Sequence, residues 1–158
     1  LKLGCLYCAG NGGSAADSQH FVAEFISRLS QNRDPIRAIS LTVDTSVITA
    51  IGNDFGFENI FARQIDAIVK KNDIFFAIST SAKSKNILLA LEKAKNKKIS
   101  TILLTGEKIN ENFKNCDVVI KAPGLETGNI QESHLIIYHS ICFMVEKKLI
   151  EKGFINYN

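Results

Sequence analysis

Short runs of apolar residues alternate along the chain with longer stretches in which apolar residues recur every three or four positions. The short runs predict buried strands at residues 3–9, 38–43, 73–79, 100–105 and 118–122. The longer stretches predict helices at residues 14–30, 57–70, 84–96 and 129–152, with a shorter helix at 46–51. This alternation predicts an α/β fold, a doubly wound parallel sheet flanked by helices. Ligands of such a sheet bind beyond the carboxyl ends of its strands.

The composition is that of one globular domain spanning residues 1–158. Hydrophobic residues make up 46% of the chain and charged residues 22%, which excludes a disordered or fibrous protein. The longest stretch without a charged residue, 3–16, is shorter than the roughly 18 residues of a membrane span, so no membrane partner is expected. The net charge is only +3 and the lysines lack interleaved aromatic residues, so no nucleic-acid partner is expected.

The four cysteines are Cys5, Cys8, Cys116 and Cys142. Cys5 and Cys8 lie in the first predicted strand, where side chains three positions apart point to opposite faces. A zinc knuckle would also need a second Cys-x-x-Cys pair, which the sequence lacks. We therefore expect ordinary buried thiols and a protein of the reducing cytoplasm.

Two loops at predicted strand ends have the residue types that bind anions. Residues 10–14 read Gly-Asn-Gly-Gly-Ser, where glycines permit close backbone approach and the next helix offers unpaired amides. Residues 80–84 read Thr-Ser-Ala-Lys-Ser, whose hydroxyls can donate to phosphate oxygens. Taken singly, each loop is equally well explained as a turn with a serine helix cap at Ser14, Ser81 or Ser84. Together they favour one shared phosphate ligand.

Ionisable side chains occur on the first and last predicted helices. His20 and Glu24 are four residues apart and share one helix face, as a metal site, a substrate site or a surface hydrogen bond would require. His134 and His139 lie in an apolar helix and need partners if they are buried, in the core or at an interface. Gln131 and His139 are about 12 Å apart along a regular helix, so a shared small ligand needs inward reach, a distorted helix end or a neighbouring subunit.

Taken together, several segments of the chain resemble one enzyme family. They are residues 10–14, Asp17, His20 with Glu24, residues 52–57 (Gly-Asn-Asp-Phe-Gly-Phe), residues 79–81 (Ser-Thr-Ser), and residues 130–139 with Gln131, His134 and His139. In this order they resemble the sedoheptulose-7-phosphate isomerase, or phosphoheptose isomerase, family. The resemblance implies a sugar isomerase (SIS) domain, a flavodoxin-like or Rossmann-like three-layer sandwich. We expect the helix that precedes the first strand in that family to be absent from this chain.

The resemblance also implies a set of site residues. A zinc ion would be held by His20, Glu24, Gln131 and His139, and Glu24 and His139 would be the catalytic proton-transfer groups. The phosphorylated sugar would be bound by Asn11, Gly12, Ser14, Arg28, Asn53, Asp54, Ser79, Thr80, Ser81, Ser84 and Gln131. Homotetramers with active sites at subunit interfaces are typical of the family.

The activity implied is isomerisation of sedoheptulose 7-phosphate to D-glycero-D-manno-heptose 7-phosphate through an enediolate. This is the first step toward nucleotide-activated heptose, which enters lipopolysaccharide, capsule or another glycan. Lys83 stands where the family usually has asparagine, and Gly128 where it often has aspartate. Both departures bear on sugar recognition, so an isomerase of another ketose phosphate is one alternative. The other is a noncatalytic SIS protein that binds a phosphosugar or a protein, as the replication-initiator-associating members do.

Overall fold

The computed structural model describes residues 3–109 and 116–158. In these ranges the chain forms a parallel sheet of strand order β2-β1-β3-β4-β5. The strands are β1 (Leu6–Ala9), β2 (Ala38–Ser40), β3 (Ile74–Ile78), β4 (Ser100–Gly106) and β5 (Val118–Ala122). The α-helices are α1 (Gly13–Ile26), α2 (Thr45–Phe55), α3 (Ala62–Ile68), α4 (Lys85–Asn96) and α5 (Thr127–Glu151).

The two faces of the sheet bury separate cores, because successive side chains of a strand point to opposite faces. On β3, Phe75 packs with α3 and α4, whereas Phe76 packs with α1 and α5. The sheet is therefore covered by helices on both sides. This arrangement confirms the predicted doubly wound α/β fold.

The direction of strand order reverses between β1 and β3. From β1 the chain continues to β2 at one edge of the sheet, and from β3 it continues through β4 to β5 at the other. Ala9, near the end of β1, is paired with Ala77, near the end of β3. The loops at 10–14 and 79–84 therefore emerge side by side at the switch point, where such sheets bind ligands.

Several element bounds differ from the sequence-based prediction. The helix predicted at 57–70 is broken, since a 3-10 turn at Phe57–Asn59 follows Gly56, whose φ is +87°, and precedes α3. The helix predicted at 46–51 is longer, because the Asp44 carboxylate caps it by accepting from the Val47 amide at 2.9 Å. Helix α1 ends at Ile26, four residues earlier than predicted.

The cysteines are unpaired, as expected. Cys5 and Cys8 are buried in the two different cores, so their side chains do point to opposite faces of the sheet. Cys142 is buried as well, but Cys116 is only partly buried, which departs from the expectation for that residue. None of the helices in the described part of the chain has the length and apolar character that a membrane span needs.

A buried ion pair explains why α1 stops early. Arg33 donates from Nε to the Glu146 carboxylate on α5 at 2.9 Å, and both side chains are nearly inaccessible. Its other nitrogens donate to the carbonyl oxygens of Glu24 at 2.7 Å and Phe25 at 2.8 Å. The guanidinium thus satisfies carbonyls at the end of α1 and ties that end to α5.

We expect Arg33→Met to lower the free energy of unfolding by about 3–5 kcal/mol, because it leaves the Glu146 carboxylate buried without its cation. Urea unfolding of the variant measures this change. Arg37→Met, at an exposed arginine, is the matched control and is expected to change stability little. Adding Glu146→Leu to Arg33→Met should recover part of the loss. A loss below about 1 kcal/mol for Arg33→Met alone would contradict the structural role.

Candidate active site

A cleft of about 310 Å³ lies at the switch point of the sheet. It is lined by Asn11, Gly12, Gly13, Ser14, Ile78, Ser79, Thr80, Ser84, Thr127 and Gln131. Seven of the residues predicted to bind substrate are in that set. Both loops singled out in the sequence therefore contribute to one cavity.

Three helix N-termini meet at this cleft. Helix α1 contributes its first turn at Gly13 and Ser14, α4 contributes Ser84, and α5 contributes Thr127. None of the three helices has an acidic residue in its first turn. Because helix N-termini offer unpaired amides and the positive end of the dipole, the cleft suits an anion.

The serines in the loops are not used as helix caps. Gly12, with φ +56°, is the N-cap of α1, so the predicted alternative of a Ser14 cap is wrong. Ser84 occupies the N-cap position of α4, but its side chain makes no capping hydrogen bond. Ser14 is almost fully buried and Ser84 is half-buried at the wall of the cleft. These hydroxyls are therefore placed to contact a ligand.

Two contacts fix the glycine-rich loop. Asn11 exchanges a pair of side-chain hydrogen bonds with Asn86 of α4, at 2.9 and 2.8 Å. A Cβ atom on Gly13 would lie 2.5 Å from Nε2 of Gln131, so the side-chain amide of Gln131 on α5 lies directly against the backbone of this glycine. Asn86 was missed by sequence reasoning, since a polar residue in the first turn of a helix has no distinctive signal by itself.

His20, Glu24 and His139 form a compact group between α1 and α5. His20 Nε2 lies 3.0 Å from Glu24 Oε1, and the rings of His20 and His139 are 5.0 Å apart and nearly perpendicular. One potential ligand atom from each of the three residues lies within 4.8 Å of the others. Nε2 of His139 is buried and has no hydrogen-bond partner among the described residues. The group therefore has the donors and the spacing to bind a metal ion.

Helices α1 and α5 lie side by side in parallel, and this fixes where Gln131 stands. Gln131 is opposite Gly13 at the start of α1, whereas His139 is opposite His20 farther along. The spacing from Gly13 to His20 along α1 and the spacing from Gln131 to His139 along α5 each correspond to about 10–12 Å of helix. A single chain thus brings three of the four predicted zinc ligands together. Gln131 instead lines the cleft that suits an anion.

Three further polar side chains of α1 and α5 are wholly or partly buried. His134 is fully inaccessible, and desolvation by burial lowers its pKa, so its ring is neutral at ordinary pH. Asp17 has a carboxylate oxygen that is buried without a partner in the described structure, and burial raises the pKa of this group. Tyr138 is fully inaccessible and contacts His20 through its hydroxyl. Sequence reasoning assigned no role to Tyr138, because a tyrosine in an apolar helix is usually core.

Four predicted substrate-binding residues are not on the cleft. Arg28 is exposed just beyond α1, while Asn53 and Asp54 are exposed near the end of α2 and hydrogen-bonded to each other at 2.7 Å. Ser81 lies in an adjoining cleft with Thr80 and Lys83 and accepts a hydrogen bond from the Lys83 amide. Their roles in binding stay predictions.

Comparison with known proteins decides the family. The SIS domain model matches residues 2–106. Phosphoheptose isomerase 2 of Campylobacter jejuni is 53% identical over 146 residues, which cover 92% of this chain and 73% of that protein. The phosphoheptose isomerase of Aneurinibacillus thermoaerophilus is 47% identical over 94% of this chain and 75% of its own length. The chain belongs to the phosphoheptose isomerase family.

A solved structure of this family agrees with the fold described above. The phosphoheptose isomerase from Francisella tularensis superposes with a TM-score of 0.86 at 36% identity, covering 91% of this chain and 77% of that one. Membership in the phosphoheptose isomerase family confirms the predicted SIS domain and the predicted isomerase. It also favours the enzyme over the alternative of a noncatalytic SIS protein.

Proposed function

We propose that this isomerase interconverts sedoheptulose 7-phosphate and D-glycero-D-manno-heptose 7-phosphate, the first step toward nucleotide-activated heptose. The observation that carries the proposal is the meeting of His20, Glu24 and His139 on two parallel helices that also border an anion-binding cleft. An aldose–ketose isomerase needs both parts. The cleft holds the phosphate, and the ionisable group moves protons at the other end of the sugar.

Binding of the phosphate is supported by the three helix N-termini. Backbone amides at the start of α1 and hydroxyls of Ser79, Thr80 and Ser84 surround the cleft. Because these donors are fixed by the fold, they can hold a phosphate dianion without reorganising. The distance along α1 from this cleft to His20 is about 10 Å, which matches an extended sugar chain.

We assign the proton transfers to Glu24 and His139. Glu24 takes the proton from C1 of the ketose and returns it to C2, while His139 moves a proton from the oxygen on C1 to the oxygen on C2. The intermediate is an enediolate, and the product is the aldose with no net change of atoms. Glu24 and His139 are both partly buried, which limits the access of water to the two proton-transfer groups.

The same group is the basis for proposing a zinc site. Two imidazoles and a carboxylate are typical zinc ligands, and the unpartnered Nε2 of His139 fits a metal-binding role. We propose that His20, Glu24 and His139 of one chain hold the ion, with Gln131 of a neighbouring copy as the fourth ligand. Bound zinc would act as a Lewis acid toward negative oxygen.

We propose that the chain assembles as a homotetramer with interfacial active sites. The apolar residues Ile136, Phe143 and Met144 of α5 are 68%, 55% and 60% exposed, which is a large apolar surface for a lone chain. A neighbouring copy that covers this surface could also supply the reach that Gln131 and Arg28 lack. A monomeric mass in sedimentation would contradict the assembly.

The unpaired cysteines support a reducing compartment, for which we propose the cytoplasm.

Incubating the zinc-loaded protein with sedoheptulose 7-phosphate is expected to produce new aldose signals in NMR spectra. A sample treated with chelator is expected to lose this activity and to regain it when zinc is added. Fructose 6-phosphate serves as the comparison substrate, because Lys83 and Gly128 bear on sugar recognition. Failure of the zinc-loaded protein to convert the heptulose would overturn the proposed substrate, and faster conversion of the hexose would reassign it.

A further inference from the structure

The hydroxyl of Tyr138 lies 2.9 Å from Nδ1 of His20. The other ring nitrogen of His20, Nε2, faces Glu24 at 3.0 Å. Both nitrogens of this imidazole are therefore engaged, one by the carboxylate and one by the phenol. The ring of His20 has one side chain on each side that fixes its orientation.

The phenol is held firmly by its surroundings. Tyr138 is fully inaccessible, and its ring packs 5.4 Å from Phe21 and 4.9 Å from His139. It lies on α5, whereas His20 lies on α1, so the hydrogen bond crosses between the two helices.

A neutral hydroxyl can either donate or accept, whereas each imidazole nitrogen does only one of these in a given tautomer. Without a metal, Nε2–H donates to the Glu24 carboxylate and Nδ1 accepts from the hydroxyl. With a metal on Nε2, the ring proton resides on Nδ1 and the hydroxyl accepts it. A histidine that binds a metal usually donates its second N–H to an oxygen, which sets the tautomer and the ring orientation.

We propose that Tyr138 is a positioning residue that holds His20 with Nδ1 protonated and Nε2 presented to the metal site. The inference rests on the zinc site of the proposed function. It adds a residue from outside the set of expected ligands, and it assigns Nε2 as the donor atom of His20. Tyr138 acts only through His20.

Tyr138→Phe tests this inference, because the ring and its packing are retained and only the hydroxyl is removed. Zinc affinity, measured by competition with a chromophoric chelator, is expected to fall about 10–100-fold. The matched control is Tyr7→Phe, which removes a buried tyrosine hydroxyl from the opposite core and is expected to leave zinc affinity unchanged. In the zinc-loaded protein, the Nδ1 NMR signal of His20 is expected to shift in Tyr138→Phe because its hydrogen bond to the hydroxyl is lost, while the nitrogen signals of buried His134 stay in place.

A double-mutant cycle separates positioning from general destabilisation. In a His20→Ala background, Tyr138→Phe is expected to have no further effect on zinc affinity, because the hydroxyl then has nothing to position. Equal zinc affinity of wild type and Tyr138→Phe would overturn the inference while leaving the zinc site intact. An equal loss in both backgrounds would show a structural role and would overturn it too. Absence of zinc binding by the wild type would instead overturn the metal site of the proposed function.

Discussion

Glu24→Gln is expected to lower kcat by about 10²–10⁴-fold, the contribution of a positioned general acid or base. Glutamine has nearly the same shape and can still hydrogen-bond His20, which lies 3.0 Å from the carboxylate. It cannot accept a proton from carbon. Because the change removes the base and preserves the packing, KM for the heptulose phosphate is expected to change much less than kcat.

The matched control is Glu92→Gln, an exposed glutamate on α4, which is expected to keep full activity. Zinc content measured on the same samples separates loss of a ligand from loss of a base. A variant that retains zinc and loses turnover identifies Glu24 as the base. Wild-type turnover by Glu24→Gln would remove the residue from the mechanism.

His139→Ala is the second change with a large expected effect, again about 10²–10⁴-fold in kcat. The substitution removes the imidazole whose Nε2 is buried without a hydrogen-bond partner in the described part of the chain, and it leaves a space next to His20. Oxygen-bound protons of the sugar then have no nearby carrier. Turnover measured with saturating substrate and saturating zinc reports the loss.

Imidazole added to the His139→Ala protein offers a direct check on the role of the ring. Partial recovery of turnover with rising imidazole concentration is expected, because the vacated space lies beside the group formed with Glu24. Ser140→Ala, which alters the next residue on an exposed position of α5, is the control and should behave like wild type. Full activity of His139→Ala would contradict the assigned proton transfer.

Both predictions depend on the parallel packing of α1 against α5. The register of the two helices is fixed at three heights, by Gly13 against Gln131, by His20 against Tyr138 and by Arg33 against Glu146. Arg33, which makes the third of these contacts, also donates to the carbonyl oxygen of Glu24 itself. Loss of the Arg33–Glu146 pair is therefore expected to disturb the site as well as stability.

Much of the fold could be predicted from local patterns. The apolar runs identified the five strands of the described residues, since buried parallel strands need apolar side chains on both faces. The helices were also found, but their ends were less well predicted because ends depend on distant partners. No glycine or proline directly follows Ile26 in the sequence, and carbonyls of the last turn of α1 accept from Arg33, which in turn donates to Glu146 on a helix more than 100 residues later.

The sequence predicted which residues belong to the candidate site better than it predicted how they are arranged. Asn11, Gly12 and Ser14 line the cleft as expected, because a loop that follows a parallel strand lies at the carboxyl end of the sheet, where ligands bind. Asn53 and Asp54 are exposed and do not line that cleft; they lie near the end of α2, which follows the edge strand β2. No sequence spacing could place them, because their position depends on how a whole helix packs.

The sequence by itself determined the order and kind of the elements, the two anion-binding loops and the set of ionisable side chains, because each of these is encoded over a few neighbouring residues. Only the tertiary structure decided that His20, Glu24 and His139 converge, that Gln131 stands two turns away, and that the Tyr138 hydroxyl engages Nδ1 of His20. These contacts join residues more than 100 positions apart. They are set by the packing of α1 and α5 on one face of the sheet, to which the whole buried core contributes.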